Sequence, residues 1–363
     1  ELARKSIVLL KNEGILPYKA KNQKILVTGP NANNNAILGD WVLRQPEENV
    51  TTIYEGIKSL GESYGHEVDF HDSNEDIRNI SDLDIQKAVK KAKKYDSIFL
   101  VIGDNSMRYL GEEKKVAGEN VARAALDLAG EQLKLAKALY SLGKPMLVVL
   151  VNGKPISEPW IYESMPAVIE AWEPGSFGGQ AVAEIIFGDI NPSGKMPLTV
   201  PRSVGHLQMI YNHKPSHFRK KYAFESIEPL FVFGHGLSYS KFEYSDLEVS
   251  QEGSAKDATI KLSLKLTNDS NYDGEEVVQV YFRDEYSTIT RPVKELIDYK
   301  RVFLEANTSR FVEFIIPLKG LSYLNADMKK VVESGDFTFF VGGSSCDQKL
   351  IKINHLIENN FTY

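Results

Sequence analysis

One polar segment of the chain holds most of the residues that could carry out acid–base chemistry. It contains three carboxylates and two arginines, namely Glu112, Glu113, Glu119, Arg108 and Arg123. A carboxylic acid that protonates a leaving oxygen needs a raised pKa and a position at the wall of a cleft. A loop glutamate is more often simply solvated, and residue chemistry alone makes the three glutamates equal candidates for a general acid.

The elements around this segment place it at the end of a strand. An apolar run at 97–102 precedes it, and a helix-like run at 130–139 follows it. The connection is longer than the usual ~2–6 residues between a strand and a helix. Because α/β proteins place their sites at the carboxyl ends of sheet strands, the pattern predicts that residues 103–123 line a site.

A second pair with possible chemistry is Asp40-Trp41. A carboxylate beside an indole resembles a sugar-binding pair, but a loop cap beside a half-buried tryptophan is the favoured interpretation. The Gly-rich segment 173–179 lacks the spacing of a phosphate loop and predicts a turn before a helix.

Composition and missing motifs exclude several classes of function. The net charge of −6 gives no basic surface for nucleic acid or an anionic membrane. The single cysteine, Cys346, excludes an intrachain disulfide and a cysteine metal cluster. His206, His213, His217 and His235 lack zinc-binding spacing. No GxSxG or GxGxxG motif occurs, and no apolar run reaches the ~20 residues of a membrane helix. We therefore expect no metal and no cofactor.

The order of apolar runs predicts an α/β domain over residues 1–200. Strand-like runs alternate with helix-like ones, at 24–28, 84–94, 97–102, 130–142, 146–151, 167–171 and 180–187. Continuous apolar strands between helices indicate a largely parallel sheet with helices on both faces. Residues 1–12 are predicted to be the tail of a helix.

The pattern changes after residue 200. Residues 201–240 lack periodicity and are predicted to form an ordered connector. Residues 241–363 contain runs of period two at 258–267, 276–282 and 310–317, with a further strand at 336–341. Short alternating strands separated by turns predict an all-β sandwich.

Four longer runs resemble glycoside hydrolase family 3. They are residues 6–17 (SIVLLKNEGILP), 171–201 (AWEPGSFGGQAVAEIIFGDINPSGKMPLTVP), 229–239 (PLFVFGHGLSY) and 290–296 (TRPVKEL). Residues 211–215 (YNHKP) resemble the periplasmic bacterial β-glucosidase branch. The resemblance covers nearly the whole chain in order.

The resemblance implies a three-part enzyme. In the family, a (β/α)8 barrel carries the aspartate nucleophile, an α/β sandwich contributes the acid/base, and a fibronectin-III-like domain follows. This sequence resembles the second and third parts. It begins at Glu1 without an initiator methionine, so we expect it to be a piece of a longer polypeptide. Asp40-Trp41 is similar in letters to the nucleophile motif but lies in the sandwich domain, so the chain is expected to contain no nucleophile.

The family's spacing selects Glu119 as the general acid/base. In the family, the catalytic glutamate precedes an Arg or Asp and then a Leu-x-Leu-Pro-Gly-like stretch, and residues 119–130 (ENVARAALDLAG) fit that order. Ala129 stands where proline is usual, and Ala125 stands where an acidic residue is common. Asp104, Arg108 and Arg123 are further candidates in the substrate loop.

The resemblance implies a retaining exo-acting β-glycosidase that takes a β-linked oligosaccharide or glucoside, with β-glucosidase preferred. A β-xylosidase or exo-glucanase of the same family remains an alternative, as does a non-catalytic carbohydrate-binding or scaffolding unit that uses Trp41, Trp160 and Trp172. The N-terminal barrel of the same enzyme is the expected partner, and without it this chain is expected to be inactive. Family analogy implies a periplasmic or secreted location.

Overall fold

A computed structural model describes residues 1–108, 111–215, 222–253 and 255–363. Its contacts divide the chain into two compact units. The first consists of residues 1–194 and 200–207, and the second of residues 195–199 together with those described from 208 onward. The connector predicted at 201–240 is therefore shared between the two units, and each unit has its own sheet structure.

The first unit is built on one mixed sheet with the strand order β1-β6-β5-β4-β2-β3. The strands are β1 Val8–Asn12, β2 Lys24–Thr28, β3 Glu67–His71, β4 Ser97–Gly103, β5 Met146–Val151 and β6 Ala167–Glu170. All pairs are parallel except β1 with β6. Every residue of β4, β5 and β6 is buried, as expected for strands covered on both faces.

The described part of the first unit contains six α-helices, two of which begin at capping boxes. They are α1 Leu2–Ser6, α2 Ile53–Ser63, α3 Asp82–Ala92, α4 Gln132–Tyr140, α5 Pro159–Ser164 and α6 Gly178–Phe187. Capping boxes begin α2, between Thr52 and Glu55, and α3, between Ser81 and Asp84. Helix α2 packs with α6, and α3 packs with α4.

The prediction of a helix tail over residues 1–12 is wrong for its second half. The helix ends at Ser6, and Val8–Asn12 pairs with β6 as an antiparallel edge strand. The apolar residues Val8, Leu9 and Leu10 are each at most 2% exposed, so burial against the sheet outweighs the helical propensity of the charged residues before them.

The second unit is an antiparallel β-sandwich. Its sheets have the orders β10-β9-β14-β15, β11-β8-β7 and β12-β13-β16. The strands are β7 Phe242–Glu252, β8 Thr259–Asn268, β9 Gly274–Asp284, β10 Glu295–Leu304, β11 Ser309–Pro317, β12 Tyr323–Leu324, β13 Lys330–Val332, β14 Gly335–Gly342, β15 Ile351–Ile357 and β16 Phe361–Thr362. Alternate residues face one core that includes Leu264, Val280, Phe314 and Phe339.

The predicted fold class is confirmed in both units, as an α/β sandwich followed by an all-β sandwich of the fibronectin-III type. Among the described residues, no helix has the length and apolar content that crossing a bilayer requires.

Candidate functional site

The connection from β4 to α4 (residues 104–131, the β4–α4 loop) starts from a fixed base. The backbone N–H of Gly103 donates to Gln132 Oε1 at 2.9 Å, and Gln132 Nε2 donates back to the Gly103 carbonyl at 2.8 Å. Gln132 is fully buried. This reciprocal pair joins the end of the strand to the start of the helix, so the long loop leaves and returns at one fixed point.

The middle of the β4–α4 loop is packed into the protein, and its tip is not. Lys115 is 1% exposed and is followed by buried Val116 and Ala117. The amide of Val116 donates to the Asn105 carbonyl at 2.9 Å. Residues 118–120, which form the tip of the loop, are exposed. The local packing therefore presents Glu119 at the surface from a supported segment.

Arg108 and Glu119 come together at this tip. The guanidinium of Arg108 forms an ion pair with the Glu119 carboxylate. Arg108 Nε also lies 2.8 Å from Asp40 Oδ1, and its guanidinium lies 3.8 Å from the centre of the Trp41 ring. Sequence reasoning thus identified Arg108 and Glu119 in the same loop, and the structure adds Asp40 and Trp41 from another.

Asp40 is the residue on which these contacts converge. Its Oδ2 accepts from the Glu119 amide at 2.7 Å and from Lys115 Nζ at 3.3 Å, and its Oδ1 accepts from the Trp41 amide at 2.8 Å. Burial acts to raise the pKa of Asp40, but the amides of Glu119 and Trp41 and the Lys115 ammonium outweigh it and lower this pKa to about 2. Asp40 therefore stays ionised across the pH range in which proteins work.

The sequence singles out Asp40 with Trp41 as a possible sugar-binding pair and favours a loop cap, but it does not indicate the contacts of Asp40 with Glu119 and Arg108. Nothing in the spacing of Lys115 distinguishes it from other loop lysines. Lys115 Nζ also donates to the Glu119 carbonyl at 2.9 Å, so this buried ammonium joins Asp40 to the backbone of the tip.

The two loops meet because of the strand order. Asp40 lies in the connection after β2, and Glu119 lies in the connection after β4. Strands β2 and β4 are neighbours, and the chain runs from them in opposite directions across the sheet. Loops at such a switch point lie side by side beyond the carboxyl ends of the strands, which is where open α/β sheets bind ligands.

Asp104 and Arg123 form a second cluster below the tip. The side chain of Asp104 is 2% exposed, with Oδ1 3.3 Å from Arg123 Nη1 and Oδ2 2.9 Å from Lys154 Nζ. Arg123 also contacts the Asp127 carboxylate at 3.0 Å. These two candidates therefore pair with each other and support the loop from within.

The other acids differ from Glu119 in their surroundings. Glu112 and Glu113 are exposed, and Glu112 Oε1 accepts from Asn120 Nδ2 at 3.3 Å. Glu170, at the end of β6, is 1% exposed. Burial raises the pKa of Glu170 to about 8, against the hydrogen bonds from the Trp172 amide and Asn152, so this carboxyl group is neutral at neutral pH.

The part of the chain that the structure describes contains no cluster of three or more His, Cys, Asp or Glu residues suited to a metal ion. His217, one of the four histidines considered in the sequence, lies outside the described residues.

Two family models match successive parts of the chain. The model of the glycosyl hydrolase family 3 C-terminal domain matches residues 7–239. The model of a fibronectin type III-like domain matches residues 276–345. The family resemblance noted in the sequence is thereby confirmed.

Individual relatives agree with these family models. A β-xylosidase from Formosa agariphila is 37% identical over 95% of this chain and 48% of its own. A periplasmic β-glucosidase from Salmonella typhimurium is 32% identical over 96% of this chain and 48% of its own. The solved structure of a β-glucosidase from Erythrobacter marinus, 33% identical, superposes with a TM-score of 0.84 over 98% of this chain and 49% of its own. The chain spans about half the length of the relatives it matches.

Proposed function

The chain belongs to glycoside hydrolase family 3, and we propose that it is the C-terminal portion of a retaining, exo-acting β-glucosidase. In this proposal Glu119 is the general acid/base, and a (β/α)8 barrel supplies the nucleophile. One observation carries the assignment: among the loop's three glutamates, Glu119 combines the family spacing with a backbone and a carboxylate held by Asp40 and Arg108.

The proposed chemistry has two steps. First, protonated Glu119 gives its proton to the glycosidic oxygen, which leaves with the bonding electrons as the barrel's carboxylate attacks the anomeric carbon. Second, ionised Glu119 removes a proton from water, which attacks the same carbon and releases the sugar from the covalent intermediate. Glu119 ends protonated, as it began.

The Arg108 ion pair suits one of these two steps. The ion pair holds Glu119 as a carboxylate, which is the form that activates water in the second step. Donation of a proton to the leaving oxygen requires this pair to open. Because Arg108 also contacts Asp40 and Trp41, it keeps partners when Glu119 is protonated.

The bonding of Asp40 supports a nucleophile from outside this chain. Both carboxylate oxygens of Asp40 already accept hydrogen bonds, and its side chain is 14% exposed. A nucleophile needs an oxygen free to reach the anomeric carbon. Asp40 is therefore a poor second carboxylate for the pair that retaining hydrolysis needs ~5–5.5 Å apart.

The split site has a direct test. The purified 363-residue chain is assayed with nitrophenyl β-glucoside, and the complete three-part enzyme is assayed beside it. We expect turnover only from the complete enzyme. If the chain alone released nitrophenol, and Glu119→Gln abolished that release, the site would not be divided between two domains.

A β-xylosidase is a second candidate, because the relative from Formosa agariphila carries that name. An exo-glucanase remains a third. We propose that the barrel decides among these sugars, since it holds most of the sugar-binding groups in the family. Relative kcat/KM for nitrophenyl β-glucoside, β-xyloside and laminaribiose or cellobiose in the complete enzyme separates the three.

A non-catalytic carbohydrate-binding role is the alternative from another class. Trp41 is 73% exposed and is the strongest stacking candidate of the three tryptophans. Titration of the chain with gluco-oligosaccharides distinguishes the roles, because clear binding without the barrel would favour a binding unit. By analogy with the periplasmic relative, we propose a periplasmic or secreted location.

A further inference from the structure

The Asp40 carboxylate joins the loop after β2 to the tip of the β4–α4 loop, and we propose that Asp40 is the positioning residue of the acid/base. This inference rests on the proposed role of Glu119. Asp40 belongs to a different loop and contacts the backbone of Glu119, with 2.7 Å between its Oδ2 and the Glu119 nitrogen. It acts through Glu119 and need not touch the substrate.

The tip has few other anchors, which makes this contact important. Residues 118–120 are exposed, so solvent competes for their backbone groups. The Glu119 amide donates to Asp40, and the Glu119 carbonyl accepts from Lys115, whose Nζ also lies 3.3 Å from Asp40 Oδ2. Both backbone polar groups of Glu119 are thus held by one charged pair, 14% exposed at Asp40 and 2% at Lys115.

The backbone on both sides is shaped for this approach. A Cβ atom on Gly118 would lie 2.5 Å from Asp40 Oδ2, and Gly118 has φ +90°. Trp41 adopts φ +59°, a region that residues other than glycine and asparagine rarely occupy. The Trp41 amide donates to Asp40 Oδ1. An unfavourable backbone conformation at Trp41 therefore adjoins the Asp40 contacts, as expected where surrounding bonds determine a site.

Charge gives Asp40 a second effect on the acid/base. Arg108 lies between two carboxylates, with an ion pair to Glu119 and with Nε 2.8 Å from Asp40 Oδ1. When Glu119 takes up a proton, Asp40 remains as the counter-ion of Arg108. The guanidinium can therefore stay beside Trp41 through both protonation states of Glu119, and the geometry of the tip persists through the reaction cycle.

The first test uses the chain itself and does not depend on its activity. Hydrogen exchange of residues 111–123 is followed by mass spectrometry in Asp40→Ala and Asp40→Asn. Asp96→Asn is the matched control, because Asp96 Oδ2 also accepts a backbone amide, that of Lys24, at 2.8 Å, but at the amino-terminal end of β2. We expect exchange at the tip to rise about tenfold in Asp40→Ala, less in Asp40→Asn and not in the control. Unchanged exchange in both Asp40 variants would overturn the positioning role.

The second test uses the complete enzyme and separates this inference from the proposed function. For Asp40→Asn, we expect kcat with a poor leaving group to fall by roughly ten- to a hundredfold and kcat with an activated aryl glycoside by less than about threefold. If Glu119→Ala shows that selectivity and Asp40→Asn does not, the inference fails and the proposed function stands. If Glu119→Ala slows poor and activated leaving groups equally, the proposed function fails, and the inference about the acid/base fails with it.

Discussion

The guanidinium of Arg108 forms an ion pair with the carboxylate of Glu119 at the exposed tip of the β4–α4 loop. The hydrogen bond to Glu119 raises the pKa of Arg108, so the arginine stays charged at all working pH values. The partner carboxyl group must exchange a proton in each cycle of the proposed mechanism. In that mechanism the ion pair therefore opens and forms again in each cycle.

Replacing Arg108 should disturb the orientation of Glu119. Arg108→Gln in the complete enzyme removes the ion pair to Glu119 and the guanidinium contacts with Asp40 and Trp41. We expect kcat with a poor leaving group to fall by roughly tenfold, because the acid/base is less well oriented. Arg108→Lys keeps a cation at this position and should lose less. An unchanged kcat in Arg108→Gln would contradict this account.

The buried strands were predictable because burial on both faces leaves a continuous apolar run. Ser97–Gly103 and Met146–Val151 have such runs and lie where the sequence placed them. Strands at edges are harder to recognise. Glu295–Leu304 pairs on one side only with β9 and has mixed exposure, so its sequence carries little pattern. Ile351–Ile357 is a strand that the sequence analysis does not predict, although its apolar and polar residues alternate.

The buried carboxyl group of Glu170 should make stability depend on pH. Its pKa of about 8 in the folded chain lies above the ordinary ~4.3 of an unfolded glutamate. Between these values the folded state holds the extra proton, so the free energy of unfolding falls as pH rises, and the full penalty is present above pH ~8. Glu170→Gln should remove this penalty, because glutamine does not ionise. The stability of Glu170→Gln relative to wild type should grow from near zero at pH ~4 to on the order of 5 kcal/mol at pH ~9.

Urea unfolding of both chains at several pH values measures this difference. Glu62→Gln makes the same substitution at an exposed position on α2 and is the control against which the Glu170→Gln difference is compared. A Glu170→Gln difference that changes no more with pH than that of Glu62→Gln would mean that Glu170 ionises without cost in the folded chain.

Two phenylalanines on one strand provide a matched test of the β-sandwich core. Phe314 is fully buried in the core, whereas Phe311, three residues earlier in β11, is 64% exposed. Phe314→Ala should lower the free energy of unfolding by about 3–5 kcal/mol. Phe311→Ala should change it by less than about 1 kcal/mol. Denaturant melts of the chain measure both, and equal losses would contradict the register of β11.

The site was only partly readable from the sequence. The loop and its acids were visible, and the family spacing favoured Glu119, because both are local in the chain. The partnership with Asp40 was not visible, since 79 residues separate the two in sequence and only the neighbouring positions of β2 and β4 bring them together. Buried Lys115 was missed for the same reason: its partner lies in a different loop.

The leaving-group dependence of Glu119→Ala tests the central claim most directly. In the complete enzyme, kcat is measured for a series of aryl glycosides from activated to poor leaving groups, with Glu113→Ala as the matched control from the same loop. Loss of a general acid should slow poor leaving groups by roughly 10²–10⁴-fold and activated ones far less, and Glu113→Ala should leave both nearly unchanged. An equal loss across the series in Glu119→Ala, or the selective loss appearing in Glu113→Ala instead, would contradict the assignment of Glu119 as the general acid/base.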